Sequence, residues 1–291
     1  MITIMFSCKK IIAFIVLFLY IPVLIECSSH SGGILRIRDG RIISMGELKE
    51  DIKNTPVVIV GELHNNKKHH DFQLRVIEEL YKDHIPFAIG LEMFQSGNQK
   101  TLDSWVAGTL PLQKFLETYY DDWGFPWPLY RDIFLYARDN KIPLVGLNVS
   151  RNITQKIAQT GFSSLSEAEL RQLPPGITCD ITQAYREFIT KAYRDHGFTN
   201  EKLFIQFCEA QMVWDSTIAW NVMKYLKQNP TRVMIVLAGT GHAWKLGIPS
   251  NLEKKPIFAY KVILPEKFGS LDRQDITLKE ADYLLLENHA F

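Results

Sequence analysis

Short apolar runs alternate with amphipathic stretches along most of the chain. Val57–Val60 is a β-branched run that ends at Gly61, and similar runs recur further along. Between these runs the apolar positions repeat with helical spacing. The sequence predicts strands at 57–60, 86–91, 143–147, 233–237 and 257–263, and helices at 69–83, 99–120, 129–140 and 203–228.

This order of elements predicts an α/β fold. Strands that are apolar throughout and separated by helices are typical of a mostly parallel sheet covered by helices on both faces. Residues 152–202 contain helical patterns without a clear strand, so we expect a helical insertion or lid subdomain there. The predicted domain extends from residue 51 to 291 and follows an N-terminal segment at 27–50.

The first 26 residues have the pattern of a signal peptide. A basic doublet precedes an apolar run from Ile11 to Ile25. That run is short for a spanning helix, which needs about 20 apolar residues. Cys27 follows, as in a bacterial lipobox, although Glu26 stands where a small residue is usual. We expect lipidation of Cys27 and a lipid-anchored protein of the bacterial cell envelope, in the outer membrane. A soluble periplasmic or secreted protein and an uncleaved anchor are the alternatives.

Composition and charge narrow the function classes. The chain has 33 basic and 32 acidic residues, 46% hydrophobic residues and a formal net charge of +1. These values exclude disordered, collagen-like and coiled-coil proteins, and the near-neutral balance argues against a nucleic-acid partner. Cys179 and Cys208 can form one disulfide or remain two buried thiols, and their spacing does not decide between these.

Polar side chains gather where the predicted strands end. Glu62 and His64 follow the first strand, Glu92 follows the second and His242 follows the fourth. Ligands of open parallel sheets bind outside the carboxyl ends of the strands. We therefore expect these four side chains to lie in one pocket at that edge of the sheet.

The same four residues permit two kinds of chemistry. Two imidazoles and two carboxylates can bind a divalent metal such as zinc or manganese, and they can equally act as general acid and base. A Gly-x-x-His pattern occurs at both 61–64 and 239–242. Asp215, with Gln211 on the same helical face, can orient a site histidine. His70 and Gln73 can form a second layer of side chains around His64.

A dense group of aromatic residues, Trp123, Trp127 and Tyr130, follows the first predicted helices. Such density is typical of a core, but it also suits a pocket for a flat hydrophobic ligand. A phenolate can ligate haem iron. Tyr130 is therefore a candidate iron ligand, with Tyr185, Tyr193 and His196 in the predicted insertion as rivals.

Taken together, these motifs resemble the ChaN family of haem-binding bacterial lipoproteins, within the wider superfamily that also holds Tiki, TraB and erythromycin esterase proteins. Thr217 departs from the family pattern, which tends to carry methionine there. The matching segments are GELH at 61–64, HHDFQ at 69–73, GLEMF at 90–94, W-x3-W-x2-Y at 123–130, N-x2-R at 148–151, AQMVWD at 210–215 and AGTGHAWKLGIP at 238–249.

The resemblance implies a ChaN-like α/β domain with a helical subdomain and a role in iron or haem uptake or storage. It implies haem held by tyrosine, a homodimer formed on haem binding, and other iron-uptake components as partners. We expect a binding protein rather than an enzyme. The residues predicted to bind haem are Tyr130, Trp127, Arg151, Tyr193 and His196.

The alternative is a metal-dependent hydrolase similar to the Tiki branch, whose members resemble proteases with paired Gly-x-x-His motifs. In that case Glu62, His64, Glu92 and His242 would hold the metal and act in catalysis.

Overall fold

Eight strands form one sheet in the part of the chain that the computed structural model describes, which is residues 33–179, 181–192, 200–253, 258–267 and 273–286. The strands are β1 (Ile34–Arg36), β2 (Arg41–Ile43), β3 (Val57–Glu62), β4 (Phe87–Gln95), β5 (Leu144–Asn148), β6 (Val233–Gly239), β7 (Tyr260–Pro265) and β8 (Tyr283–Leu285). Across the sheet they lie in the order β2-β1-β8-β7-β3-β6-β4-β5. The six strands from β8 to β5 run parallel to one another, while β1 is antiparallel both to β8 and to the edge strand β2.

Helices cover both faces of this sheet. Alternate residues of β3 point to opposite sides, so that Val58 and Val60 join one hydrophobic core while Val57 and Ile59 join the other. Helices α1 to α5 pack against the first core, and α8 to α11 pack against the second. The predicted fold class is confirmed. The helices are α1 (Met45–Ile52), α2 (Lys67–Lys82), α3 (Gln99–Ala107), α4 (Leu112–Asp122), α5 (Trp127–Asp139), α6 (Arg151–Thr160), α7 (Glu167–Leu170), α8 (Gln183–Ala192), α9 (Glu201–Gln228), α10 (Thr240–Ala243) and α11 (Ile248–Glu253).

The predicted helix at 99–120 is wrong in one respect, because the structure has two helices there. Gly108 adopts a left-handed backbone with φ 75° and ends α3, a conformation that glycine takes at little steric cost. Pro111 then precedes the first residue of α4. The break sets the direction of α4, whose last residue leads into the aromatic loop at 123–126.

The N-terminal part of the described chain belongs to the sheet. Ile34 of β1 pairs with Leu285 of β8, so the fold begins before residue 51, where the sequence predicted its start. The predicted signal peptide and Cys27 lie outside the described residues. Among the described helices, none combines the length and apolar content needed to cross a lipid bilayer.

The predicted insertion at 152–202 has helices, turns and irregular segments, and no strand among its described residues. It contains α6, α7 and α8, and α6 packs along α9 through Ile153, Ile157 and Val213. Tyr193 and His196 lie outside the described residues. The Sγ of Cys179 donates to the Glu209 carbonyl oxygen at 3.8 Å and is not bonded to Cys208, so these two described cysteines are thiols.

Candidate functional site

The carboxyl ends of β3 and β6 open into one cleft. Glu62 and Gly239, the last residues of these strands, are paired in register. The cleft has a volume of about 480 Å³, within the usual range for small-molecule sites. Glu62, His64, Glu92 and His242 all line it, so the prediction that they share a pocket is confirmed. We call these four residues the polar half of the cleft.

Glu92 reaches this cleft from within a strand rather than from its end. The strand β4 continues past Glu92 to Gln95, and its pairing with β5 shifts register between Leu91 and Gln95. The expectation that the strand ends before Glu92 was therefore wrong. The Nδ2 of Asn148 donates to the Glu92 carbonyl oxygen at 2.7 Å, which secures the irregular part of β4 to the end of β5.

Glu62 is a buried carboxylate surrounded by three potential donors. Its Oε1 accepts hydrogen bonds from the Tyr130 hydroxyl and from Nδ1 of His64, the latter at 2.9 Å. The Nε2 of His70 lies 3.0 Å from Oε2. Burial alone would raise the pKa of Glu62, but the contacts with His64 and His70 hold that pKa well below its usual range. Glu62 is therefore ionised at neutral pH.

This carboxylate determines how His64 faces the cleft. Because Oε1 of Glu62 accepts a hydrogen bond from Nδ1 of His64, the tautomer with hydrogen on Nδ1 is favoured. The Nε2 atom of His64 then keeps its lone pair. The imidazole packs 4.8 Å from both the Trp123 and Phe125 rings, and 28% of the side chain is exposed. Burial lowers the pKa of His64, but Glu62 and Glu92 together raise it above its usual value.

The two Gly-x-x-His segments meet at Gly239. A Cβ atom at this position would lie 2.6 Å from Cε1 of His64, so only glycine leaves room for the imidazole. The backbone N–H of Gly239 also donates to Oε2 of Glu92 at 2.5 Å. The hydroxyl of Thr240 donates to the carbonyl oxygen of Glu62 at 2.9 Å. The end of β6 therefore contacts both Glu62 and His64 of the first Gly-x-x-His segment.

His242 lies between two carboxyl groups. Its Nδ1 is 2.7 Å from Oδ1 of Asp215, and its Nε2 is 3.6 Å from Oε1 of Glu92. Burial lowers the pKa of His242, but the charges of Glu92 and Asp215 outweigh this effect and raise it to about 9. Asp215 on α9 therefore contacts a site histidine, as the sequence predicted.

A second cavity of about 340 Å³ adjoins the polar half and shares part of its wall. The shared wall consists mainly of aromatic side chains, Trp123, Phe125, Phe207 and Trp214, which we call the aromatic half of the cleft. Arg151, the first residue of α6, lines this cavity as the sequence analysis expected. The cleft therefore has charged side chains in its polar half and an apolar wall in its aromatic half.

No role in a pocket was predicted for Phe207 or Trp214. On α9, Phe207, Gln211 and Trp214 follow one another at intervals of four and three residues, and all three line both cavities. That spacing places them on one helical face. The signal was present in the sequence, but the same pattern also describes an ordinary core face, so it did not identify a pocket by itself.

The positions of Trp127 and Tyr130 argue against their predicted contacts with haem. Trp127 is 7% exposed and packs in the core against Trp105, Phe115 and Phe134. Tyr130 is 1% exposed. Its burial and the charge of Glu62 raise its pKa far above the usual value, and its hydroxyl donates to Glu62 rather than lining either cavity.

His70 and Gln73 lie beneath the polar half, but their contacts differ from the predicted ones around His64. His70 approaches Glu62 rather than His64, and the Nε2 of Gln73 donates to the Val60 carbonyl oxygen at 3.0 Å. These contacts follow from the orientation of α2, whose buried face lies along β3.

The predicted site for a divalent metal is not supported. Among the residues that the structure describes, no group of three or more His, Cys, Asp and Glu side chains is arranged to hold a metal ion. The Nδ1 atoms of His64 and His242 each face a carboxylate.

Comparisons with known proteins agree with this fold. ChaN of Campylobacter jejuni, whose solved structure describes cofacial haem binding, is 21% identical with a TM-score of 0.70, over 88% of this chain and 96% of that one. An erythromycin esterase variant in its open conformation is 14% identical with a TM-score of 0.50, over 81% and 76% of the two chains. No curated protein sequence matches the chain. Residues 48–252 match the family described as haem-binding uptake, Tiki superfamily, ChaN, and the chain belongs to that family.

Proposed function

We propose that this protein binds haem in the aromatic half of the cleft and serves the uptake or storage of haem iron. The observation that carries the proposal is an open aromatic cleft in a chain of the haem-binding uptake family. A porphyrin is flat and mostly apolar, so its faces would pack against Trp123, Phe125, Phe207 and Trp214.

Arg151 supplies the complementary charge at the rim of the aromatic half. It is exposed and lines the cavity from the first turn of α6. A guanidinium pairs well with a carboxylate, so Arg151 would bind a haem propionate. For the iron ligand we retain Tyr193 and His196 as predictions, and we favour Tyr193 because ferric iron stabilises an anionic phenolate.

The proposed location is the bacterial cell envelope, with an anchor in the outer membrane and other iron-uptake components as partners. It rests on the basic doublet, the apolar run and Cys27 at the start of the chain. A bacterial lipoprotein carries several acyl chains, which hold a protein to a membrane more firmly than one chain does.

A hemin titration followed by absorbance tests the proposal. We expect saturable binding at micromolar hemin and a Soret band typical of a ferric tyrosinate. Arg151→Gln should weaken binding about tenfold, because a charge-assisted hydrogen bond is lost. Arg171→Gln, at an exposed arginine outside the cleft, is the matched control and should bind as the wild type does.

Tyr193→Phe should change the Soret spectrum if its phenolate ligates the iron. No hemin binding by the wild-type protein at micromolar concentration would contradict the whole proposal.

A further inference from the structure

A carboxylate without a cation beside it lines the cavity of about 340 Å³. Asp122 is the half-buried last residue of α4. Its oxygens accept hydrogen bonds from the backbone N–H of Gln95 at 3.0 Å, from Nε2 of Gln95 at 2.6 Å and from Nδ2 of Asn98 at 2.8 and 2.9 Å. All of these donors are neutral amides, and no lysine, arginine or histidine of the described chain forms an ion pair with Asp122.

These contacts favour the ionised form of Asp122 at neutral pH. A carboxylate only accepts hydrogen bonds, and the amides of Gln95 and Asn98 only donate to it. Burial raises the pKa of Asp122 above its usual value, and the hydrogen bonds from Asn98 and Gln95 oppose that rise. Neutral amides stabilise the charge without cancelling it, so a net negative charge remains at the cavity wall.

The two other carboxylates that line the cleft, Glu62 and Glu92, have imidazole partners. Glu62 contacts His64 and His70, and Glu92 lies 3.6 Å from Nε2 of His242. Asp122 is therefore the lining carboxylate whose charge has no nearby compensation.

Arg151 is the one lysine or arginine among the described residues that line either cavity. It forms no ion pair with Asp122 or with another described carboxylate. The guanidinium and the carboxylate reach the same cavity from different elements, Arg151 from the start of α6 and Asp122 from the end of α4. The cavity therefore favours an anionic group beside Arg151 and disfavours one beside Asp122.

We propose that Asp122 is a specificity-determining residue, which restricts the cleft to porphyrins whose carboxylates all lie along one edge, as they do in haem. This inference rests on the proposed function. Haem carries its two propionates on adjacent pyrrole rings, so that both can lie on the side of Arg151. A porphyrin with a propionate on each of its four rings presents a carboxylate to Asp122 as well.

Coulomb's law gives the size of the effect. At an effective dielectric constant of about 20, two like charges about 12 Å apart already cost a factor of about ten in affinity. A carboxylate inside a cavity of about 340 Å³ would approach Asp122 more closely than this. The charge also stays in place, because amide donors hold both oxygens of Asp122 and prevent the side chain from turning toward Arg151.

Asp122 also holds the aromatic wall. Trp123 follows it directly, and the rings of Trp123 and Phe125 both pack 4.8 Å from the His64 ring. A substitution of Asp122 that moved this wall would weaken the binding of every porphyrin. A change in the ratio of the affinities for two porphyrins therefore reports the charge, whereas a parallel loss of both affinities reports the position of the wall.

The test compares hemin with the iron complex of coproporphyrin III, in which a propionate replaces each vinyl group. Both are titrated by absorbance into the full chain at low ionic strength, where charges are little screened. The wild type should bind hemin at least roughly tenfold more tightly than the coproporphyrin complex. Asp122→Asn removes the charge and keeps the shape of the side chain, so it should lower that preference by roughly five- to tenfold.

Two variants control for other effects of the substitution. Asp121→Asn removes the same charge from an exposed neighbour that lines neither cavity, and it should keep the wild-type preference. Asp122→Glu retains the charge, so it should keep the preference even if both affinities fall. Circular dichroism checks the fold of each variant.

The salt dependence of the wild type gives a second measurement that needs no variant. Salt at 1 M shortens the Debye length to about 3 Å, so the preference for hemin should shrink.

An unchanged preference in a folded Asp122→Asn, or an equal loss in Asp121→Asn, would overturn the role of Asp122 and leave haem binding intact. A wild type that binds both porphyrins equally, or whose preference is the same in 1 M salt, would also overturn it. A wild type that binds neither porphyrin would overturn the proposed function and this inference together.

Discussion

At the scale of single residues, the buried negative charge of Glu62 is the centre of the polar contacts in the site. Its negative charge is buried, and the donors that compensate it come from three different elements, His64 after β3, His70 on α2 and Tyr130 on α5. A buried carboxylate left without these donors would be strongly disfavoured. The hydroxyl of Tyr130 is therefore one of the groups that compensate this buried charge.

Tyr130→Phe tests this assignment. The variant loses a buried hydrogen bond to a charged acceptor, so its free energy of unfolding should fall by about 1.5–3 kcal/mol. Urea denaturation measures this change. We expect the Soret spectrum of the hemin complex to stay the same, because the Tyr130 hydroxyl donates to Glu62 and lines neither cavity.

The matched control is Tyr136→Phe on the same helix, which is half-buried and should change stability by about 0.5 kcal/mol or less. A tyrosinate spectrum that disappears specifically in Tyr130→Phe would return this residue to the role that the sequence predicted.

The sequence predicted the strand-end residues but not their partners. His64 and His242 follow apolar strands in a repeated pattern, so the parallel topology alone placed them together. The contact between Tyr130 and Glu62 spans 68 positions and depends on how α5 packs on α2. No local pattern encodes such a crossing, and the density of aromatic residues around Tyr130 resembled a ligand pocket instead.

At the scale of elements, the junction between β6 and α10 is where the site is assembled. Gly239 ends the strand, contacts the His64 ring and donates to Glu92, and His242 follows in the next turn. The sequence predicted β6 and the long helix α9, because both have strong apolar patterns. It missed β1, β2 and β8, which have three residues each and too few positions to show a period.

Gly239→Ala should separate His64 from its position in the cleft. The added Cβ would lie 2.6 Å from Cε1 of His64, so either the imidazole or the strand must move. We expect the free energy of unfolding to fall by about 1–3 kcal/mol, as in other overpacked sites.

Gly97→Ala is the control, since a Cβ there meets no atom within 4 Å. Calorimetry measures the effect on stability. A Gly239→Ala variant with unchanged stability would contradict the close approach of the two motifs.

At the scale of the whole molecule, the cleft lies at the carboxyl edge of the sheet, with an aromatic wall along one part of it. A haem held there against one aromatic wall would leave part of its apolar surface in water. Such a surface is costly in a monomer and favours association. Removal of the predicted signal takes away two lysines and one glutamate, leaving 33 − 2 = 31 basic and 32 − 1 = 31 acidic residues. With equal numbers of basic and acidic residues, electrostatic repulsion would not oppose the association of two copies of the chain.

Hemin should therefore promote dimers. Sedimentation velocity of the haem-free protein should show a monomer, and saturating hemin should shift most of the protein to a dimer at micromolar concentration. Arg151→Gln should need about tenfold more hemin for the same shift, because it weakens haem binding without changing the rest of the surface. Arg171→Gln should behave as the wild type. A protein that saturates with hemin by absorbance and remains monomeric in the centrifuge would show that one chain covers its haem unaided, and would exclude a shared site.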